Sequence, residues 1–214
     1  MRLSVATRLL NKIHKIKFEE LFKNLPLDMK TNKGSAGQII EKYLGLNSNS
    51  FLLDFEDGEL KTNKCDKFGK PLETMFITQI SKNFDQLISG SDNFETSNLY
   101  KKIKNLLYVS ICKDSKDRGS WYIYNSYNIN ILKNNFLFGE IKNDYDNIKI
   151  KIVSDLKQND KMIHTSSGRF IQIRSKDSKP YHPIYSKKLK RYISNKNHAF
   201  YFKKEFMIYN NKKK

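Results

Sequence analysis

A mixed α and β fold (α/β in the broad sense, α+β in arrangement) is what this sequence predicts, on three observations. Apolar residues recur at near-helical spacing before Gly45, short β-rich runs follow from residue 51, and 14 Phe and 12 Tyr supply the material for a buried core. A mean hydropathy of −0.67 alone would suggest disorder, but a disordered chain lacks such aromatic content. A chain of 214 residues is long enough for one sizeable core and short for two, so residues 1–214 read as a single domain.

Leu9, Leu10, Ile13, Ile16, Leu21 and Phe22 stop before Pro26 and predict an N-terminal helix over 9–22. A polar loop, 28–35, follows. Ile39, Ile40, Tyr43 and Leu44 predict a second helix over 36–43, closed by Gly45 at the usual C-terminal position. The runs 51–55 (FLLDF), 59–63 (ELKTN) and 74–80 (TMFITQI) predict strands. The first two are separated by Glu56-Asp57-Gly58 and the last two by a loop with Gly69 and Pro71, which reads as a β-meander after a helix. Further strands are predicted at 106–112 and 121–124. Residues 145–156 fit both periods, because their alternating Ile residues suit a helix or a strand. Strands at 170–174 and 199–204 are joined by a basic, proline-containing loop, 175–192, and the tail 210–214 reads as frayed.

Forty Lys and Arg against 22 Asp and Glu give a net charge of +18, which attracts polyanions and makes nucleic acid the leading partner class. No run approaches the roughly 20 apolar residues of a membrane helix, and the charged N-terminus does not read as a signal peptide. Residues 8–22 are a poor membrane-surface helix, so no membrane partner is expected. Cys65 and Cys112 have neither zinc-site spacing nor the numbers of a disulfide framework, which suits a reducing cytoplasm.

Cleaving a nucleic-acid phosphodiester calls for a hard cation, and carboxylates are the natural ligands of magnesium. Asp54 and Glu59, on either side of a short turn, can converge at one end of a hairpin. Lys61, two residues after Glu59 on a period-2 strand, projects from the same face, where an ammonium can position the attacking water. On spacing alone, D-x4-E-x-K is an ordinary exposed charged turn.

The neighbouring residues change that reading. Lys33-Gly34-Ser35-Ala36-Gly37-Gln38-Ile39-Ile40-Glu41, then Leu44-Gly45, Asp54-Phe55, Glu59-Leu60-Lys61-Thr62 and Gly69-Lys70-Pro71-Leu72-Glu73-Thr74-Met75-Phe76 form an ordered series. Phe94-Glu95-Thr96-Ser97 with Lys101-Lys102-Ile103-Lys104, and Ile171-Gln172-Ile173-Arg174 with Phe200-Tyr201-Phe202-Lys203-Lys204, continue it. Over about 33–206 the chain resembles the MutH family, which holds a mismatch-repair nickase and the Sau-type GATC restriction endonucleases, in the PD-(D/E)xK nuclease class.

The resemblance implies a restriction-endonuclease-like fold with a central mixed β-sheet flanked by helices. It implies that Asp54 and Glu59 hold Mg2+, with Mn2+ able to substitute, that Lys61 serves the attacking water, and that Glu41 projects into the same site. The family's further lysine falls on Lys102, beside Lys101. The turn between Asp54 and Glu59 is shorter than in the nickase, which leaves Glu56 or Asp57 as a substitute for Asp54. For DNA readout the resemblance suggests Phe76, Arg174, Lys176 and Tyr201, consistent with Arg or Lys pairing to guanine and an aromatic ring sensing an adenine methyl group. Arg169, the loop 176–191 and Lys33 suit phosphates. By pattern alone Phe76 is a core residue, Arg174 marks a solvated strand face, Trp121 is packing, and His14, His164, His182 and His198 are surface residues.

Two functions share this chemistry: a type II restriction endonuclease cutting double-stranded DNA at GATC, and a methyl-directed nickase switched on by a mismatch-repair activator. The basic charge and single-domain frame favour restriction, with a homodimer on palindromic DNA to cut both strands.

Overall fold

A computed structural model describes residues 1–22, 35–46, 53–90, 92–157 and 168–212. They fall into two compact units: Met1–Thr74 with Asn105–Asn130, and Met75–Lys104 with Ile131–Lys214. The mixed α and β class holds, with a mixed sheet and flanking helices. Among the described residues no helix is long and apolar enough to cross a membrane.

In the first unit, helix α1 spans Leu3–Asn11 and α2 only Phe18–Leu21. The continuous helix predicted over 9–22 is therefore broken. Lys15 takes φ 62°, and its N–H donates to the Ile123 carbonyl at 2.9 Å, so the intervening backbone bonds to a sheet edge instead of to itself. Helix α3, Ser35–Tyr43, ends as predicted at Gly45, whose φ is 67°. The Leu46 N–H donates to Glu41 and the Gly45 N–H to Lys42, which is the Schellman pair of bonds.

Strand β1 is Glu59–Cys65. β2 (Met75–Gln79) belongs to the second unit, while β3 (Asn105–Cys112) and β4 (Tyr122–Asn130) complete the first unit's sheet, in the order β1-β3-β4. β1 runs parallel to β3 and β3 antiparallel to β4. The meander is thus overturned, because β1 and β2 lie in different sheets and β1 pairs through a crossover. Nor is there a strand at 53–55. Phe55 makes one isolated bridge to Gly58, and residues 51 and 52 lie outside the described residues. Leu60, Leu107, Val109, Ile111 and Ile123 share a core with Leu3, Ala6 and Leu10 of α1 and with Ala36, Ile39 and Ile40 of α3. The alternate positions of β1, Glu59, Lys61, Asn63 and Cys65, take the opposite face.

The second unit holds α4 (Phe84–Ser89), α5 (Asn98–Ile103), α6 (Asn135–Lys157), β5 (Ile171–Ser175), β6 (Ile184–Ser186), β7 (Arg191–Ser194), β8 (His198–Phe202) and α7 (Lys204–Asn211). Its sheet has the order β2-β8-β5, antiparallel throughout. Residues 145–156 are helical. Leu137, Ile141, Tyr145, Ile148 and Ile152 are buried at helical spacing, whereas Ile150, which would share a strand face with Ile148, is 67% exposed. The predicted loop 175–192 contains the β6–β7 hairpin, and the tail stays helical through Asn211, with 213 and 214 outside the described residues.

Candidate active site

The last turn of α3, the turn at 54–58 and the start of β1 meet within the first unit. Gly37 places α3 against β1, where a β-carbon would lie 3.4 Å from Thr62 Oγ1, an ordinary contact, and Glu41 follows one turn later on the same helix face. Gly58 is required at the turn. A β-carbon at that position would fall 2.4 Å from the Asn105 carbonyl oxygen.

Lys61 Nζ donates to Glu59 Oε1 at 2.9 Å, with the two side chains 12% and 4% exposed. The Leu60 N–H donates to Asp54 Oδ2 at 2.9 Å, which ties the exposed Asp54 to the first residues of β1. The two alternatives to Asp54 are occupied elsewhere: Asp57 accepts the Leu3 N–H at the start of α1, and Glu56 accepts the Met1 amine. Burial raises the Glu41 carboxyl above its ordinary range, Asp54 and Glu59 push it further, and Lys61 opposes them. Glu41, Asp54, Glu59 and Lys61 therefore share one field. Among the described residues no three His, Cys, Asp or Glu side chains converge tightly enough to hold a metal alone. Magnesium needs only one or two carboxylates, with waters and substrate phosphate completing its shell, so this donor set suits it.

The other sequence-predicted residues lie in the second unit. Lys102 is half-buried on α5, whose first turn is capped by Ser97 Oγ, and Lys101 is exposed. Phe76 is half-buried and not core. Its ring meets Tyr201 edge-on at 5.8 Å, and Lys176 Nζ sits 3.6 Å from its centroid. Arg174 lies over the Tyr201 ring at 5.9 Å, and Tyr201 opposes both Phe76 and Gln172 in register. The Tyr201 hydroxyl is pushed upward by burial, Arg174 opposing. Arg169 pairs with Glu140 at 3.2 Å and covers Phe136. Lys33 and His164 lie outside the described residues.

Residues 46–135 match the sequence profile of the DNA mismatch repair enzyme MutH, a stretch that includes Asp54, Glu59, Lys61, Phe76 and Lys102. This segment is similar to the MutH family. Proteins named DNA mismatch repair protein MutH are similar to it. That of Yersinia enterocolitica is 35% identical over 91 residues, covering 41% of this chain and 38% of the relative. That of Enterobacter is 34% identical over 90 residues (41% and 37%), and that of Vibrio vulnificus 33% over 98 (44% and 40%). The aligned stretch spans less than half of each MutH relative. Glu41, Arg169, Arg174, Lys176 and Tyr201 fall outside the matched MutH residues.

Sequence reasoning missed several anchors. Asp144, 4% exposed on α6, accepts the N–H groups of Arg169, Phe170 and Ile171 and so fixes the start of β5. Nothing in its spacing distinguishes it from a surface helical Asp. His198, expected at the surface, is 5% exposed and opens β8, while His14 bonds Ser126 at 2.8 Å. His182 is exposed as expected, yet it is held by Asp177.

Proposed function

We propose that this chain is a magnesium-dependent, sequence-specific DNA endonuclease that hydrolyses phosphodiesters at GATC as a type II restriction enzyme, its two units acting as one endonuclease domain. The observation that carries the reading is the shared site of Glu41, Asp54, Glu59 and Lys61, with a Glu59–Lys61 pair that is almost wholly buried. In this reading Asp54 and Glu59 would hold the ion, whose charge would offset that of the phosphoryl oxygens and make a bound water more acidic. Lys61 orients the attacking water and stabilises developing negative charge, and Glu41 holds a proton or a water beside it. Lys102 supplies a further cation, and Mn2+ can replace Mg2+.

Phe76, Arg174, Lys176 and Tyr201 form the base-reading set, their alternating rings and cations suiting a DNA groove. Arg169 and Lys33 contact phosphates. A homodimer on the palindrome would cut both strands. The second reading, a methyl-directed nickase working with a repair activator, is favoured by the relatives, all named mismatch repair proteins.

Supercoiled plasmids with unmethylated, hemimethylated or fully methylated GATC sites separate the two when incubated with the protein and magnesium. Linear product without a partner supports restriction, and nicks confined to unmethylated strands support the nickase. Cleavage indifferent to GATC contradicts the sequence-readout part.

A further inference from the structure

The paired strands β5 and β8 carry Arg174 and Tyr201, and the chain between them forms the β6–β7 hairpin. The sequence holds no Asp or Glu between Asp177 and Glu205. The hairpin turn, Lys187-Lys188-Leu189-Lys190, leads into Arg191, and all five residues are exposed. The hairpin lies outside the stretch 46–135 that matches the MutH profile.

This turn is held in place. Asp85 of α4 accepts the Ser186 hydroxyl and the N–H groups of Lys187 and Lys188, while Ser186 Oγ accepts the Leu189 N–H at 3.0 Å. Arg191 Nη2 donates to the Leu156 carbonyl near the end of α6 at 3.0 Å. Lys190 takes φ 51°, in the left-handed region that favours glycine or asparagine. Strain at Lys190 and repulsion among neighbouring cations both work against folding. A polyanion that meets the turn would relieve the repulsion.

The strands of the hairpin add aromatic rings. Ile184 and Ile193 face inward, 1% and 4% exposed, and Tyr185 and Tyr192 take the opposite face, 47% and 70% exposed. The two tyrosines oppose each other in register, with ring centroids 5.1 Å apart. A cross-strand aromatic pair steadies a ribbon, yet these rings remain largely in water. Beyond β7, Lys196 Nζ sits 4.6 Å from the centroid of the exposed Tyr181 ring. Cations and tyrosines without interspersed carboxylates suit a nucleic-acid backbone, because lysine pairs with phosphate and a tyrosine hydroxyl donates to it.

We propose that the β6–β7 hairpin grips the sugar–phosphate backbone of double-stranded DNA outside the recognised bases. Lys187, Lys188 and Lys190 pair with phosphates, and Tyr185 and Tyr192 lie against deoxyribose with their hydroxyls donating to phosphate oxygens. The inference rests on the DNA-endonuclease reading and adds a flanking contact to it, because the hairpin connects the two strands that carry Arg174 and Tyr201. Such a contact strengthens binding and fixes register, and carries no sequence information.

The test is binding in EDTA of two GATC duplexes, one ending just outside the site and one carrying about one helical turn more on each side. Wild-type protein is expected to bind the longer duplex about tenfold more tightly. The triple variant Lys187→Ala, Lys188→Ala, Lys190→Ala changes only exposed side chains, and its melting temperature is expected to match wild type. It is expected to lose the advantage of the longer duplex and to lower the salt dependence of that binding by about two phosphate contacts. Tyr192→Ser is expected to weaken the longer duplex about threefold and to leave the shorter one unchanged. Equal wild-type affinity for the two duplexes, a triple variant that keeps the advantage, or one that weakens both duplexes alike would each overturn the proposal. Plasmid cleavage at GATC by wild type in Mg2+ would in those cases leave the endonuclease reading standing, whereas a wild-type protein that neither binds nor cuts DNA overturns both.

Discussion

The Lys61 ammonium lies 2.9 Å from the Glu59 carboxylate, two residues back on the same face of β1, and both are almost shut off from water. A carboxylate so deeply buried is tolerable only with its charge compensated. Fold and chemistry therefore draw on one pair. Lys61→Ala is expected to reduce DNA cleavage at least about a hundredfold and to lower stability by about 3 kcal/mol, because a buried charge loses its partner. Urea unfolding and plasmid cleavage read the two effects separately.

Glu41→Gln should move stability and activity in opposite directions. The Glu41 carboxyl is raised by burial, then by Asp54 and Glu59, against Lys61. A carboxyl raised in this way adds stability below its ordinary pKa of 4.5 and loses that contribution as pH rises through the folded value. At pH 8 the ionised Glu41 is therefore a burden that Gln removes. Its melting temperature is expected to match or exceed that of wild type at pH 8, with the gain vanishing toward pH 4, and cleavage is expected to fall sharply. A variant less stable than wild type at pH 8 contradicts the like-charge account.

Gly58→Ala tests the turn. The new methyl group would lie 2.4 Å from the Asn105 carbonyl oxygen and 2.5 Å from a Leu3 methyl, so backbone must shift. A loss of about 2 kcal/mol in chemical denaturation is expected. The Gly58 carbonyl accepts the Phe55 N–H at 2.9 Å, so cleavage is expected to fall as Asp54 is displaced.

Asp144→Ala removes the acceptor for three backbone N–H groups that begin β5. Leaving buried donors unpaired is expected to cost about 3 kcal/mol. Hydrogen exchange should be fastest over the strand carrying Arg174. Uniform protection there would show that β5 does not depend on Asp144.

These residues mark where the sequence could be read. Gly45 closed α3 as expected because a left-handed C-terminal position needs glycine, and the period-2 pattern put Glu59 and Lys61 on one face of β1. The N-terminal helix broke because the backbone around Lys15 found partners on β4, a long-range pairing that no local window contains. The strand predicted through Asp54 failed for a local reason. Asp54 is held by a side-chain bond to the Leu60 N–H, so its convergence with Glu59 comes from a turn and not from a hairpin. Asp144 and Asp177 were invisible as anchors, since their partners are backbone N–H groups, which every residue type but proline presents.

The central claim is that Glu59 and Lys61 belong to a metal-dependent DNA-cleaving site, and single-turnover cleavage of a GATC oligonucleotide tests it most directly. The wild-type protein is expected to cut within the site when Mg2+ is added and not in EDTA, whereas Glu59→Gln is expected to bind the duplex without cutting it. Cleavage by wild type in EDTA, or undiminished cleavage by Glu59→Gln, would contradict the account.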